Sequence, residues 1–125
     1  MYDLTESRAI AATGMQTQAR RLRILSENIA NADTPGFRRK MVEFEAKREG
    51  GVELGRVRLD RSELPQVYDP AHPMADSTGH YLGSNVDLLI EIADAREAQR
   101  SYEANLKMFD QSRNMSSSLM DILRR

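Results

Sequence analysis

Apolar side chains recur at heptad spacing along the first quarter of the chain. Leu4, Ala11, Met15, Leu22, Leu25, Ile29 and Ala32 fall on one stripe, interrupted by Arg8 and Gln18, which is the pattern of a long amphipathic helix. From Val86 onward the same template selects Leu88, Ile92, Ala95, Gln99, Tyr102, Leu106, Phe109, Arg113, Ser116, Met120 and Leu123. Most of these are apolar, so a second helix is predicted there. Met108, Met115, Leu119 and Ile122 lie on a different face of it, so this helix offers apolar surface in two directions. At about 1.5 Å per residue the first helix would reach roughly 40 Å and the second about 50 Å or more.

Local signals set the ends. Pro35 has no backbone donor and biases Thr34 away from the helical region, which predicts a stop near Asn31 or Ala32. Pro35 and Gly36 then suit the central positions of a type II turn, Gly with φ > 0. Asn28 and Asn31, three apart, are residues that accept unusual backbone angles or bond the last free carbonyls of a helix. For the second helix, Ser84 with Asp87 three residues later fits a capping box, and Asp87, Glu91 and Asp94 put negative charge near the positive end of its dipole. Arg124 and Arg125 suit its other end.

Three stretches follow: 1–40 with the first helix and its turn, a loop-rich middle at 41–83, and 84–125 with the second helix. In the middle, Gly50, Gly51, Gly55, Pro65, Pro70, Pro73 and Gly79 punctuate short alternating runs. Val52–Leu54 and Val57–Leu59 read as short strands forming a small hairpin. This segment holds too few apolar residues for a core of its own. Two helices with apolar seams and no third partner cannot bury both seams in one compact chain. A helical hairpin that dimerises into a four-helix bundle and packing in a larger array are both open on periodicity alone.

Composition narrows the chemistry. The 125 residues are 30% charged and 40% hydrophobic, with net charge −1 and no cysteine, so thiolate and disulfide chemistry are absent. The most apolar window, Val86 to Ala93, is broken by Asp87 and Glu91, which excludes a membrane span. Met1 to Arg8 lack a basic start and an apolar run, so no cleavable secretory signal is expected. Asp69, His72, Asp76 and His80 are four donors in one Pro/Gly-rich loop, but their spacing matches no compact metal template; solvated loop residues are the expectation. No nucleophile elbow, phosphate loop or zinc helix is present. The basic clusters Arg20, Arg21, Arg23 and Arg38, Arg39, Lys40 are diluted by Glu27, Asp33, Glu43 and Glu45, which argues against nucleic acid and for solvated faces or ion pairs between subunits.

The string Ser26-Glu27-Asn28-Ile29-Ala30-Asn31-Ala32-Asp33-Thr34-Pro35-Gly36-Phe37 resembles the N-terminal signature of the flagellar rod/hook axial protein family. Asp69-Pro70-Ala71-His72-Pro73-Met74-Ala75-Asp76, Ser84-Asn85-Val86-Asp87 and Ala95 to Leu106 extend that resemblance to the short proximal rod members, which lack the large inserted domain of the hook relatives. The resemblance implies a mainly α fold: two long terminal helices pairing as an antiparallel coiled coil, a short irregular or β middle, and packing in a helical tubular assembly. It implies a structural subunit of the proximal rod of the basal body, a hollow axial drive shaft carrying torque from rotor ring to distal rod and hook. It implies no enzyme, catalytic residue, metal or cofactor.

The partners implied are other copies of the chain, other rod proteins, rotor-ring and ring-adaptor proteins, and the flagellar type III export apparatus, with no nucleic acid and no direct membrane span. The implied location is the rod in the periplasm, reached without a cleaved signal. Asn28, Asn31, Thr34, Pro35, Gly36 and Phe37 would end the first helix and fix the turn, while Leu22, Leu25, Ile29, Tyr102, Leu106 and Phe109 would form the assembly seam. The competing class is a cytoplasmic helical dimer with a regulatory or chaperone-like role, for which the same heptads suffice.

Overall fold

The structure, a computed structural model, describes residues 3–124. Its frame is two helices, α1 (Leu4–Ala30) and α2 (Leu88–Arg124), of 27 and 37 residues. The mainly α architecture with a short β middle is the one the sequence predicts. Asp3 caps α1, its carboxylate accepting from the Thr5 backbone N–H at 2.9 Å. Asn31 closes the other end. Asp87 caps α2, its carboxylate accepting from Leu89 N–H at 3.0 Å and its carbonyl from Glu91 N–H. The cap expected at Ser84 therefore lies three residues further on; the Ser84 hydroxyl serves the turn before the helix, accepting from Val86 N–H. Arg125 lies outside the described residues.

The helices run antiparallel in a single register. The Ser7 and Ser112 hydroxyls lie 3.4 Å apart, Gly14 faces Asn105, Arg21 reaches Asp94 and Glu97, and Asn28 bonds Glu91. Each seven-residue step up α1 is matched by a seven-residue step down α2, the repeat of a coiled coil. The line of contact is small and polar. Ala11, Gly14, Thr17, Leu25 and Asn28 are the buried residues of α1, and Glu91, Ala98 and Ser112 those of α2.

Leu88, Ile92, Leu106, Met120 and Leu123 are exposed in the single chain, as are Met108, Met115, Leu119 and Ile122. Apolar side chains thus flank the internal contact line on both sides, and in the first stripe Tyr102 and Phe109 are half-buried.

Six strands form three antiparallel pairs: β1 (Lys40–Met41) with β4 (Arg58–Leu59), β2 (Phe44–Ala46) with β3 (Val52–Leu54), and β5 (Gln66–Tyr68) with β6 (His80–Leu82). Strands at 52–54 and 58–59 exist as the alternation predicts, but they do not pair with each other. Both turn back on the residues just after the signature turn, which carry no comparable alternation. The first two pairs make one bent arm whose register slips by one residue, since Lys40 opposes Leu59 while Phe44 opposes Leu54. That extra residue near Gly55 is a bulge. The β5/β6 hairpin lies where the sequence reads as plain loop. The arm leans on α1: the Thr13 hydroxyl accepts from Val52 N–H, and the Thr17 hydroxyl donates to the Val52 carbonyl, both at 3.2 Å.

Candidate functional site

The signature turn is the point where every part of the chain meets. Phe37 N–H bonds the Thr34 carbonyl at 3.2 Å, and Gly36 sits at φ 75°, the geometry expected of a type II turn. A Cβ at Gly36 would meet open space, so a side chain there costs conformational energy alone, about 1–2 kcal/mol. Asn31 ends the helix: its side chain donates to the Glu27 carbonyl at 2.8 Å and accepts from the Thr34 hydroxyl at 3.1 Å. Past the turn, Gly36 N–H reaches the Leu82 and Gly83 carbonyls, and the Phe37 carbonyl accepts from Asn85 N–H. Pro35 and Phe37 are half-buried.

Asn28 does something other than end the helix. It is wholly buried, and its amide pairs twice with the Lys40 backbone, donating to the carbonyl and accepting from the N–H, each at 2.9 Å. The side chain thus stands in for a neighbouring strand. The same amide nitrogen donates to Glu91 at 3.3 Å.

Glu91 is the largest fully buried side chain of the described residues, and a buried carboxylate needs its own cation. Arg39 supplies it: Nε donates to Glu91 at 2.7 Å and Nη1 to Asp60 at 3.1 Å. Burial works against the Arg39 cation, but its bonds to Glu91 and Asp60 outweigh that and raise its pKa. The Asp60 carboxyl is held below its usual range by the Ser62 backbone N–H, then by the Ser62 hydroxyl and Arg39. A depressed folded pKa means that Asp60 supports the fold above the ordinary carboxylate range, and that this support is lost as pH falls through the lowered value. Asn85 completes the junction, accepting from Arg39 N–H at 2.7 Å and donating to the Asp60 carbonyl.

Sequence reasoning missed this centre. It took Glu91 as dipole charge and Arg39 as a solvated or intersubunit cation. The one available signal was a lone carboxylate interrupting the apolar run Leu88-Leu89-Ile90 before Ile92.

The remaining candidates fall into two sets. Of the seam residues, Leu25 is buried, Leu22, Ile29, Tyr102 and Phe109 are half-buried, and Leu106 is 40% exposed. Arg8 Nε and Gln18 Oε1, the polar interruptions of the α1 stripe, are buried without a hydrogen-bond partner among the described residues. The four loop donors build turns instead of converging. Asp76 accepts from Thr78 and His80 N–H, first of all from the Thr78 hydroxyl at 2.6 Å, which holds its carboxyl below the usual range. His72 stacks on Tyr81 with ring centroids 4.0 Å apart. Among the described residues no group of three or more such donors could hold a metal, and no helix is long and apolar enough to cross a membrane.

A helix pair locked in register, a polar junction spent entirely on internal bonds, and apolar stripes facing outward are the features of a subunit built for assembly. Residues 9–38 match the family described as flagella basal body rod protein, and residues 77–122 the C-terminal family of flagellar basal body rod FlgEFG proteins. The flagellar basal-body rod protein FlgC of Agrobacterium fabrum is 45% identical over 136 residues, spanning 99% of this chain and 98% of the relative. The FlgC proteins of Salmonella typhimurium and Bacillus subtilis are 32% and 29% identical, covering 85% and 90% of this chain and 87% and 93% of their own.

The chain belongs to the FlgC family of flagellar basal-body rod proteins. It is a structural subunit of the proximal rod.

Proposed function

We propose that the chain builds a hollow axial shaft in the periplasm, where copies pack through their outward apolar stripes and pass torque from the rotor ring toward the distal rod and hook. One observation carries this reading. Among the described residues only Ala11, Leu25 and Ala98 are buried hydrophobic residues, while eighteen large apolar side chains are exposed. A chain of this size that buries so little apolar surface draws its stability from neighbours. Eleven of them lie along α2, so this helix has room for more than one neighbour.

Leu22, Ile29, Tyr102, Leu106 and Phe109 form the face that meets those neighbours, Leu25 being buried within the chain, and the turn from Thr34 to Phe37 sets the angle at which the middle segment leaves the helix pair. Ring, ring-adaptor and export-apparatus partners, and export without a cleaved signal, are part of the same proposal, and membership of the rod family supports them.

Detergent-stripped basal bodies from the source organism are expected to contain the chain in fixed stoichiometry by quantitative mass spectrometry. Recovery only as a discrete soluble dimer would instead support the helical-dimer reading.

A further inference from the structure

We propose that the cavity beside α1 and the strand arm is an anion site, in which Arg21 receives a carboxylate side chain from α2 of a second copy of the chain. The proposal rests on the reading of the chain as a rod subunit and names one polar contact by which a subunit recognises its neighbour. The cavity, of ≈ 300 Å³, has Ile24, Met41 and Val42 among its walls. Four cations line it, Arg21, Arg39, Lys40 and Arg58, against two carboxylates, Glu43 and Asp94. A cleft lined mainly by one sign of charge attracts the other.

Three of the four cations are already committed. Arg39 bonds Glu91 and Asp60, Lys40 bonds Glu27 at 2.7 Å, and Arg58 bonds Glu43 at 2.7 Å. Arg21 is the exception: its carboxylates, Glu97 at 3.8 Å and Asp94 at 4.0 Å, lie beyond hydrogen-bond distance. Yet its side chain is only 15% exposed, and its guanidinium carbon stands 5.5 Å from the centre of the Phe44 ring, within cation–π range. A guanidinium carries five N–H donors in a rigid fork, and burying it without a close acceptor is unfavourable. A carboxylate answers that fork through two parallel bonds. Arg20 and Arg23, beside it on α1, are exposed and served by water.

A free anion would leave Met41, Val42 and the exposed Phe44 uncovered, whereas a protein surface covers them as its carboxylate enters. The chain offers such a surface. On α2 the exposed Glu103 and Asp110 lie seven residues apart on either side of Leu106, and neither is in an ion pair among the described residues. The internal register sets Asp94 and Glu97 beside Arg21 and turns Asn105 toward Gly14, so Glu103 and Asp110 reach an Arg21 only in another copy.

Arg21→Met keeps the apolar reach of the side chain and removes its charge. In the single chain the thermal midpoint by circular dichroism is expected to move by less than about 4 °C, since ion pairs this long contribute little. Recovery of the variant in isolated basal bodies, by quantitative mass spectrometry, is expected to fall at least about tenfold, the scale of a lost hydrogen bond to a charged group. Full recovery, or a collapse of the midpoint that accounts for the loss, would overturn the site. Arg21→Glu is expected to abolish swimming, and Glu103→Arg or Asp110→Arg in the same chain to restore it. Restoration by Asp94→Arg or Glu97→Arg instead would mean that Arg21 serves its own chain, and failure of both α2 reversals would equally sink the contact. Basal bodies devoid of the unaltered chain would remove the rod reading and the site with it.

Discussion

Arg39→Ala is expected to be the most damaging single substitution in the chain, costing about 3–5 kcal/mol and abolishing swimming. The magnitude is that of removing one partner from a buried ion pair. Glu91 has no exposed side-chain surface, and its remaining bond, from Asn28 at 3.3 Å, is long. The loss would spread, because the same guanidinium also holds Asp60. Lysine is a poor substitute: a point charge cannot serve Glu91 through Nε and Asp60 through Nη1 at once. Replacing both partners, Arg39→Met with Glu91→Met, is expected to restore most of the stability, since no charge then remains buried. Motility in soft agar and recovery of the chain in basal bodies check the series. Wild-type swimming by Arg39→Ala would show that the junction is dispensable.

The second large effect is Gly14→Leu. A Cβ placed on Gly14 would come within 2.5–2.7 Å of the carboxamide atoms of Asn105 on the facing helix, a separation that non-bonded atoms do not tolerate. To make room, Asn105 must give up the bond from its amide to the Ser101 carbonyl at 2.9 Å, and the longer leucine side chain then meets the facing helix itself. Overpacking a close contact typically costs about 1–3 kcal/mol, and leucine here would push the helices out of register along the whole ladder. Gly14→Ala makes the diagnosis sharper. Alanine raises intrinsic helix propensity by about 1 kcal/mol over glycine, so any loss must come from the contact with α2. Pairing Gly14→Ala with Asn105→Ala is expected to recover what the single change loses. Thermal unfolding followed by circular dichroism, alongside motility, reads both variants, and an unaltered Gly14→Leu would mean that the helices do not pair in this register.

The parts of the fold legible in the sequence are those fixed by local chemistry. Pro35 and Gly36 encode the turn through φ, and Gly36 indeed stands at 75°. Heptad spacing gives both helices their lengths, and branched residues mark strands at 52–54 and 58–59. Partner choice was not legible. Nothing near Val52 or Leu59 announces that each pairs backwards with residues 40–46, because strand pairing is settled by the arm folding over α1.

The helix faces illustrate a subtler limit. A heptad template seeks apolar side chains and therefore found the outward stripe of α2, whereas the chain packs internally on Glu91, Ala98, Asn105 and Ser112. Gly14, Ala11 and Ala98 matter there by being small, a property that periodicity of hydrophobicity does not register. The junction was invisible for the same kind of reason. Arg39, Asp60, Asn85 and Glu91 are scattered along the chain, and each reads as a surface residue until the turn brings them together. In the seam, sequence and structure answer different questions: Leu106, apolar and in phase, is left 40% exposed by its own chain.

That residue offers the most direct test of the account. In a Leu106→Cys variant, maleimide labelling is compared between intact basal bodies and the same chain dissociated from them. The account predicts that the introduced thiol, exposed within its own subunit, labels readily after dissociation and is protected at least about tenfold in the intact rod. Equal labelling in both states would contradict it, because the outward stripe of α2 would then face solvent in the rod as well.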